Sequence, residues 1–336
     1  MTLEELRPLL ENLIDPSLDK TLKETEGIKH LGYDDKKDVI VLIVAMGKLG
    51  DIEEKSLRRR IARLVKIDCG FSGLKLQMEE IKVLNSIARS KIKFIGIISG
   101  KGGVGKSSVT GNIANRLAKK GHRVGVIDAD IYGASMPTIL NFKHEHPHYD
   151  EEGKIIPLVK DNIELISTEF FTSPSEPVIW RGAMLNSMIS HFFYDVKWHD
   201  KTEYVIIDFP PGTGDITMDI KNIVPQTKML LVTTPHPSAC HVAIKSGHAA
   251  TKLGHEIIGI IENMSYYVNP VNNQREYIFG TGGGKKIAEE LNCELIAQIP
   301  IGQSKSNTDL FDITETQGRI YDEIADFIIF NTSNNE

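Results

Sequence analysis

Cysteine is scarce in this chain: among 336 residues only Cys69, Cys240 and Cys293 occur, and no two of them form a C-x-x-C pair. That excludes a disulfide framework and any local cysteine pair for zinc or an iron–sulfur cluster. Positive charge is not in excess either, since 39 Lys and Arg against 45 Asp and Glu leave a formal net charge of −6. Nucleic-acid binding by bulk electrostatics is therefore not expected. The one basic run, Arg58-Arg59-Arg60, reads as a solvated helix face. No apolar stretch approaches the ~20 residues that span a bilayer, so no membrane association is expected. The N-terminus, MTLEELRPLLENL, is acidic and amphipathic, unlike a secretory signal with its basic start and apolar middle. The cytoplasm is the expected compartment. Internal repeats and low-complexity segments are absent.

What is present divides in two, with a small α+β domain expected over 1–85 and a larger one over 86–336. In the first, Leu3, Leu6, Leu10 and Leu13 recur at helical spacing until Asp15-Pro16. The run Val39–Val44 has strand length. Asp51 is placed to cap a helix carrying Leu57, Ile61, Leu64 and Val65 on one face, and Leu74 to Met78 makes a second strand. The segment 81–93, IKVLNSIARSKIK, reads as a connector. From Phe94 onward apolar strands alternate with longer helices. Strands are expected at Phe94–Ser99, Val124–Asp128, Glu164–Ser167, Tyr204–Asp208, Met229–Thr233 and Ile257–Ile261. Several are apolar throughout, as in parallel strands covered on both faces. The fold class is α/β: a doubly wound, mostly parallel sheet, with ligands outside the carboxyl ends of the strands.

The strongest chemical signal is Gly100-Lys101-Gly102-Gly103-Val104-Gly105-Lys106-Ser107, followed by Ser108. It fits G-x-x-x-x-G-K-[ST] between the strand FIGIIS and a helix expected at Ser107–Lys120, and predicts a Mg-ATP site. The glycines let successive amide N–H groups turn inward onto phosphate oxygens, and the helix N-terminus adds its positive dipole end. Lys106 can reach the β- and γ-phosphates, and the Ser107 hydroxyl can join the Mg²⁺ shell. Asp128, Asp130 and Asp208 stand at or just beyond strand carboxyl ends, where carboxylates can hold Mg²⁺ or orient water. Asp215 could serve there or simply cap a helix. Gly280–Lys286 lacks the G-K-[ST] ending and reads as a turn into a helix at Lys286–Leu291. The alternating His144, His146 and His148 read as a solvated loop.

The form SGKGGVGKSS, with Lys101 directly after the first glycine, resembles the deviant Walker A motif of the MinD/ParA/nitrogenase-iron-protein class. With DADIYGAS, WRGAM, DFPPGTGDIT, TTPHPSA, IENMSYY and FGTGGGKK, residues 94–310 resemble the Mrp (ApbC) family of ATP-binding iron–sulfur cluster carriers. Residues 1–80 resemble the small domain, related to iron–sulfur assembly factors, that many such proteins carry. The resemblance implies a slowly hydrolysing homodimer serving apoprotein clients. It implies that Lys101 reaches the partner's phosphates, that Asp130 orients the attacking water, and that Asp128 lies close to Mg²⁺. It makes Asp208 the Walker B aspartate, Gly212 the switch II glycine and Asn263 a contact of the adenine base.

The chain departs from that family where a C-P-x-C pair should hold the cluster, because Asn269 and Asn272 stand there. Neutral amides cannot replace thiolates. Ala45-Met46-Gly47-Lys48 likewise holds no cysteine where the small domain's relatives commonly have one. The stretch YYVNPVNNQREYIFG resembles a SalA-like branch discussed as regulatory. Two functions therefore stand open: a cluster carrier, or an ATP-switched regulator that binds a protein or DNA partner without a cluster. A membrane-surface positioning ATPase is not expected, since the C-terminal helix lacks a basic face.

Overall fold

A computed structural model describes residues 2–17, 20–25, 27–34, 38–47, 49–50, 52–80, 91–172, 182–212, 214–306 and 308–333. Contacts divide the chain into two compact units, Met1–Asn85 and Ser86–Glu336.

The first unit contains α1 (Leu3–Glu11), β1 (Ile28–Asp34), β2 (Val39–Met46), α2 (Ile52–Arg63) and β3 (Leu74–Glu80). A capping box starts α1: the Thr2 hydroxyl accepts from the Glu5 amide, and the Glu5 carboxylate accepts from the Thr2 amide. The helix stops at Glu11 with Asn12 as its C-cap, so Leu13 falls outside it. Pro16 is not the breaker, because Ile14–Asp15 already pairs with Lys20–Thr21 in a two-stranded ribbon. In the sheet, β1 runs antiparallel and β3 parallel to β2. The sequence concealed β1, since IKHLGYD sits on an edge with half-buried and exposed residues and presents no apolar run. Leu6, Leu10, Leu57, Ile61 and Val65 close over Ile40, Leu42, Val44 and Met46. Asp51, expected as a cap, and residues 81–90 of the expected connector lie outside the described residues.

The second unit contains β4 (Lys93–Ser99), α3 (Lys106–Lys119), β5 (Arg123–Asp128), β6 (Leu158–Lys160), β7 (Ile163–Ser167), α4 (Gly182–Tyr194), β8 (Thr202–Asp208) and α5 (Asp215–Ile223). It continues with β9 (Lys228–Thr233), α6 (Pro237–Lys252), β10 (Glu256–Glu262), β11 (Tyr267–Val268), β12 (Arg275–Glu276), α7 (Gly283–Leu291), β13 (Leu295–Gln298) and α8 (Thr316–Ser333). Eight strands form one sheet in the order β6-β7-β5-β8-β4-β9-β10-β13. Only the β6–β7 pairing in it is antiparallel. All six strands expected from apolar runs are in this sheet. The two additions, β6 and β13, are short edge strands with partly exposed residues.

The continuous apolar runs have a packing cause. Along β4, Phe94 and Ile98 face one core while Ile95 and Ile97 face the other. On β8, Val205 and Ile207 take the first side, and Tyr204 and Ile206 the second. Helices α4 to α7 cover the first face through residues such as Phe192, Ile220, Ala243 and Ile287. Helices α3 and α8 cover the second with Val109, Ile113, Leu117, Tyr321 and Ile328. Each fully buried Val, Leu, Ile or Phe side chain among them contributes about 1.5–3 kcal/mol. The rigid sheet carries the loops after β4, β5 and β8 side by side at its carboxyl edge.

Candidate nucleotide site

β4 delivers the chain into the loop 100–105, and α3 begins at Lys106, one residue earlier than expected. Gly105 is its N-cap in the left-handed region, at φ 82°. A Cβ there would also strike the Asn263 amide nitrogen, so both backbone and neighbour demand glycine. The loop and the following turn enclose a cradle of about 260 Å³ lined by Lys101 to Ser108, Asp130 and Pro211, among others.

Beneath the loop lies a buried charged cluster. Lys106 Nζ lies 2.7 Å from Asp208 Oδ2 and 3.8 Å from Asp130 Oδ2. The Ser107 hydroxyl donates to Asp208 Oδ2 at 2.7 Å. Asp208 is fully buried, Lys106 is 6% exposed and Asp130 is 16% exposed at the cradle's mouth. Asp128, also fully buried, accepts through Oδ2 from the Ser135 and Met136 amides and the Ser167 hydroxyl. Its Oδ1 is buried without a hydrogen-bond partner among the described residues. Burial, and secondly the charge of Asp208, push the Asp128 carboxyl up to about 7. Burial also raises Asp130, against the opposing pull of Lys106.

A second cavity of about 560 Å³ shares Gly105 and Ser108 with the loop and extends over Asn263, Met264, Ile299 to Gln303, Asp309 and Phe311. The Asn263 side chain donates to the Val104 carbonyl at 2.9 Å, tying the end of β10 to the phosphate loop. Lys101 projects from the loop with Nζ 3.3 Å from the Ser238 hydroxyl at the start of α6. Gly212 adopts φ 87° and donates its amide to the Ser99 carbonyl. The chain thus gathers Lys101, Lys106, Ser107, Asp128, Asp130 and Asp208 around one cradle, with Asn263 in the adjoining cleft. Thr213, the Asp215 side chain and the Trp180-Arg181 of WRGAM lie outside the described residues.

The remaining candidates are elsewhere. Asn269 and Asn272 lie in the turn between β11 and β12, each accepting the amide two residues on, from Val271 and Gln274. Asn269 also donates to Glu276 at 2.6 Å. Cys240 is buried in α6, Cys293 lies between α7 and β13, and Cys69 is in the first unit. Burial raises the pKa of all three thiols, holding them in the protonated form. His144 bonds the Glu169 carbonyl at 2.7 Å and meets His146 edge-on. The glycine run at 280–284 turns into α7 from Gly283, three residues before the expected start.

Two residues went unread in the sequence. The Thr110 hydroxyl, one turn into α3, donates to Asp208 Oδ1 at 2.6 Å. Asn112 is buried completely and bonds the loop around Asp309. Polar residues inside an apolar helix face were the available signal for both.

The doubly wound sheet and its loop define the chain as a P-loop nucleotide-binding protein. A family model described as "ParA: NUBPL iron-transfer P-loop NTPase" matches residues 91–324, and the chain belongs to this family. The "Iron-sulfur cluster carrier protein" of Bacillus subtilis (strain 168) is 37% identical over 342 residues, covering 96% of each chain. The protein of the same name from Saccharolobus solfataricus is 39% identical over 232 residues, covering 68% of this chain and 77% of its own. Among solved structures, a nucleotide-binding protein from Archaeoglobus fulgidus in complex with ADP is 28% identical, with a TM-score of 0.53. The match covers 71% of this chain and 89% of that one. Among the described residues no helix is long and apolar enough to cross a membrane.

Proposed function

We propose that this chain is a homodimeric, slowly turning Mg-ATP hydrolase that serves the cluster-carrier activity its relatives are named for. The observation that carries the ATPase reading is the buried Lys106–Ser107–Asp208 cluster under a glycine loop, with Asp130 at its mouth. The donor set suits Mg²⁺: Ser107, Asp128 and Asp208 offer hard oxygens, and Asp128 Oδ1 is buried without a partner among the described residues. Magnesium takes one or two carboxylates with phosphate and water, so no all-protein cage is required. When bound, it would neutralise charge building between the β- and γ-phosphates.

In this reading Lys106 exchanges Asp208 for the phosphates, and loop amides donate to the same oxygens. Asp130 orients the attacking water and takes its proton, a role that a burial-raised carboxyl suits. Lys101 reaches the phosphates of a second copy, and Asn263 reads the adenine from the adjoining cleft. The first unit, over 1–85, is the domain that resembles iron–sulfur assembly factors.

A second reading has its own support. Asn269 and Asn272 spend their side-chain oxygens on turn amides, and amides cannot hold an iron–sulfur cluster. The chain would then be an ATP-switched, SalA-like regulator that binds a protein or DNA partner without a cluster. Anaerobic reconstitution with iron and sulfide separates the two. No stable chromophore in the wild type, with colour only in the Asn269→Cys/Asn272→Cys variant, would favour the regulator and refute the carrier. A stoichiometric, EDTA-resistant chromophore in the wild type would favour the carrier and refute the regulator.

A further inference from the structure

We propose that Asn112 is a positioning residue that fixes one wall of the nucleoside cleft to the phosphate-loop helix, so that affinity for the nucleoside half of the ligand depends on it. The inference rests on the ATP reading of the site. Asn112 lies in α3, seven residues after Gly105, and is fully buried. Its amide nitrogen donates to the Asp309 carbonyl at 3.0 Å and to the Ser108 carbonyl at 2.8 Å. Its oxygen accepts from the Phe311 amide at 2.9 Å. Both donor protons and an acceptor lone pair are thereby engaged. The three partners, Ser108, Asp309 and Phe311, all line the 560 Å³ cleft.

The loop that Asn112 holds has its own internal bracing. Glu315, nearly buried, accepts from the Lys305 and Asp312 amides, and Ser304 donates to the Leu310 carbonyl. Loss of Asn112 would therefore release this loop from α3 as a body, without unravelling it. The neighbouring α3 residue packs against a second stretch of the lining. Gly111 admits Ile139 so closely that a Cβ would strike it, and Thr138 and Asn141 beside Ile139 line the same cleft. Two consecutive residues of one helix thus hold two stretches of the cleft's lining, and the phosphate loop leads into that helix's N-terminus.

The test compares two ligands by calorimetry, Mg-ATP and Mg-tripolyphosphate, since the second engages the phosphate loop alone. Asn112→Asp and Asn112→Ala should weaken ATP about tenfold, as expected for one or two lost net hydrogen bonds. Tripolyphosphate affinity should stay within about twofold. Phe311→Ala, which loosens the same wall and leaves no buried polar group stranded, should give the same split. Unchanged ATP affinity in the variants, or equal losses for both ligands in Phe311→Ala, would overturn the proposal. Wild-type protein binding ATP no tighter than tripolyphosphate would instead overturn the nucleoside-cleft reading itself.

Discussion

Lys106 has two tasks that can be measured apart, because without nucleotide its ammonium neutralises buried carboxylates. Its Nζ is 2.7 Å from Asp208, with the two side chains 6% and 0% exposed. Removing one partner of such a pair strands the other and costs about 3–5 kcal/mol. In a unit of this size each kcal/mol moves the melting temperature by about 2–4 °C. Lys106→Met, which keeps an unbranched stem one atom shorter and removes the charge, should therefore lower the nucleotide-free melting temperature by about 6–20 °C. Asp208→Asn should cost less, since Lys106 keeps Asp130 at 3.8 Å. The double variant should be more stable than the sum of the single losses predicts, by well over the ~0.5 kcal/mol scatter of independent sites. Calorimetry with EDTA and without nucleotide reads all four proteins. Additive losses would refute the counter-ion role and leave Lys106 as a phosphate ligand only.

Three further outcomes are expected. Asp130→Asn should bind Mg-ATP with wild-type affinity in calorimetry but lose about 100-fold or more in turnover; turnover within about threefold, under ~0.7 kcal/mol of barrier, would assign the water to another group. Lys101→Ala should still bind ATP yet lose hydrolysis, and light scattering should show an ATP-dependent dimer in the wild type; full activity from a strict monomer would contradict the cross-subunit role. His255, buried with Nε2 3.3 Å from the Thr217 carbonyl, has its pKa lowered chiefly by burial. The unfolded chain then takes up the proton first, so stability is complete above pH ~6.5 and falls as the pH drops through the lowered folded value. His255→Asn should flatten that part of the melting-temperature profile, and an identical slope would place the acid sensitivity elsewhere.

Local chemistry made much of this protein legible in one dimension. Gly100 to Ser107 reads as a phosphate loop because its function depends on backbone amides, which glycine spacing alone can arrange. The six strands read clearly because helices cover both faces, so that most of their positions are apolar. Edge strands β1, β6 and β13 escaped notice for the opposite reason: one side is open, and no apolar run is needed. Distance along the chain hid the rest. Only folding brings Thr110 within 2.6 Å of Asp208, almost a hundred residues away. The same is true of Asn263 against Val104 and of Asn112 against Asp309. Nor does sequence foretell that Lys106 rests on Asp208 rather than in open solvent. A lysine's partner is set by which carboxylates share its low-dielectric pocket, and that is decided when the sheet lays the ends of β4, β5 and β8 side by side.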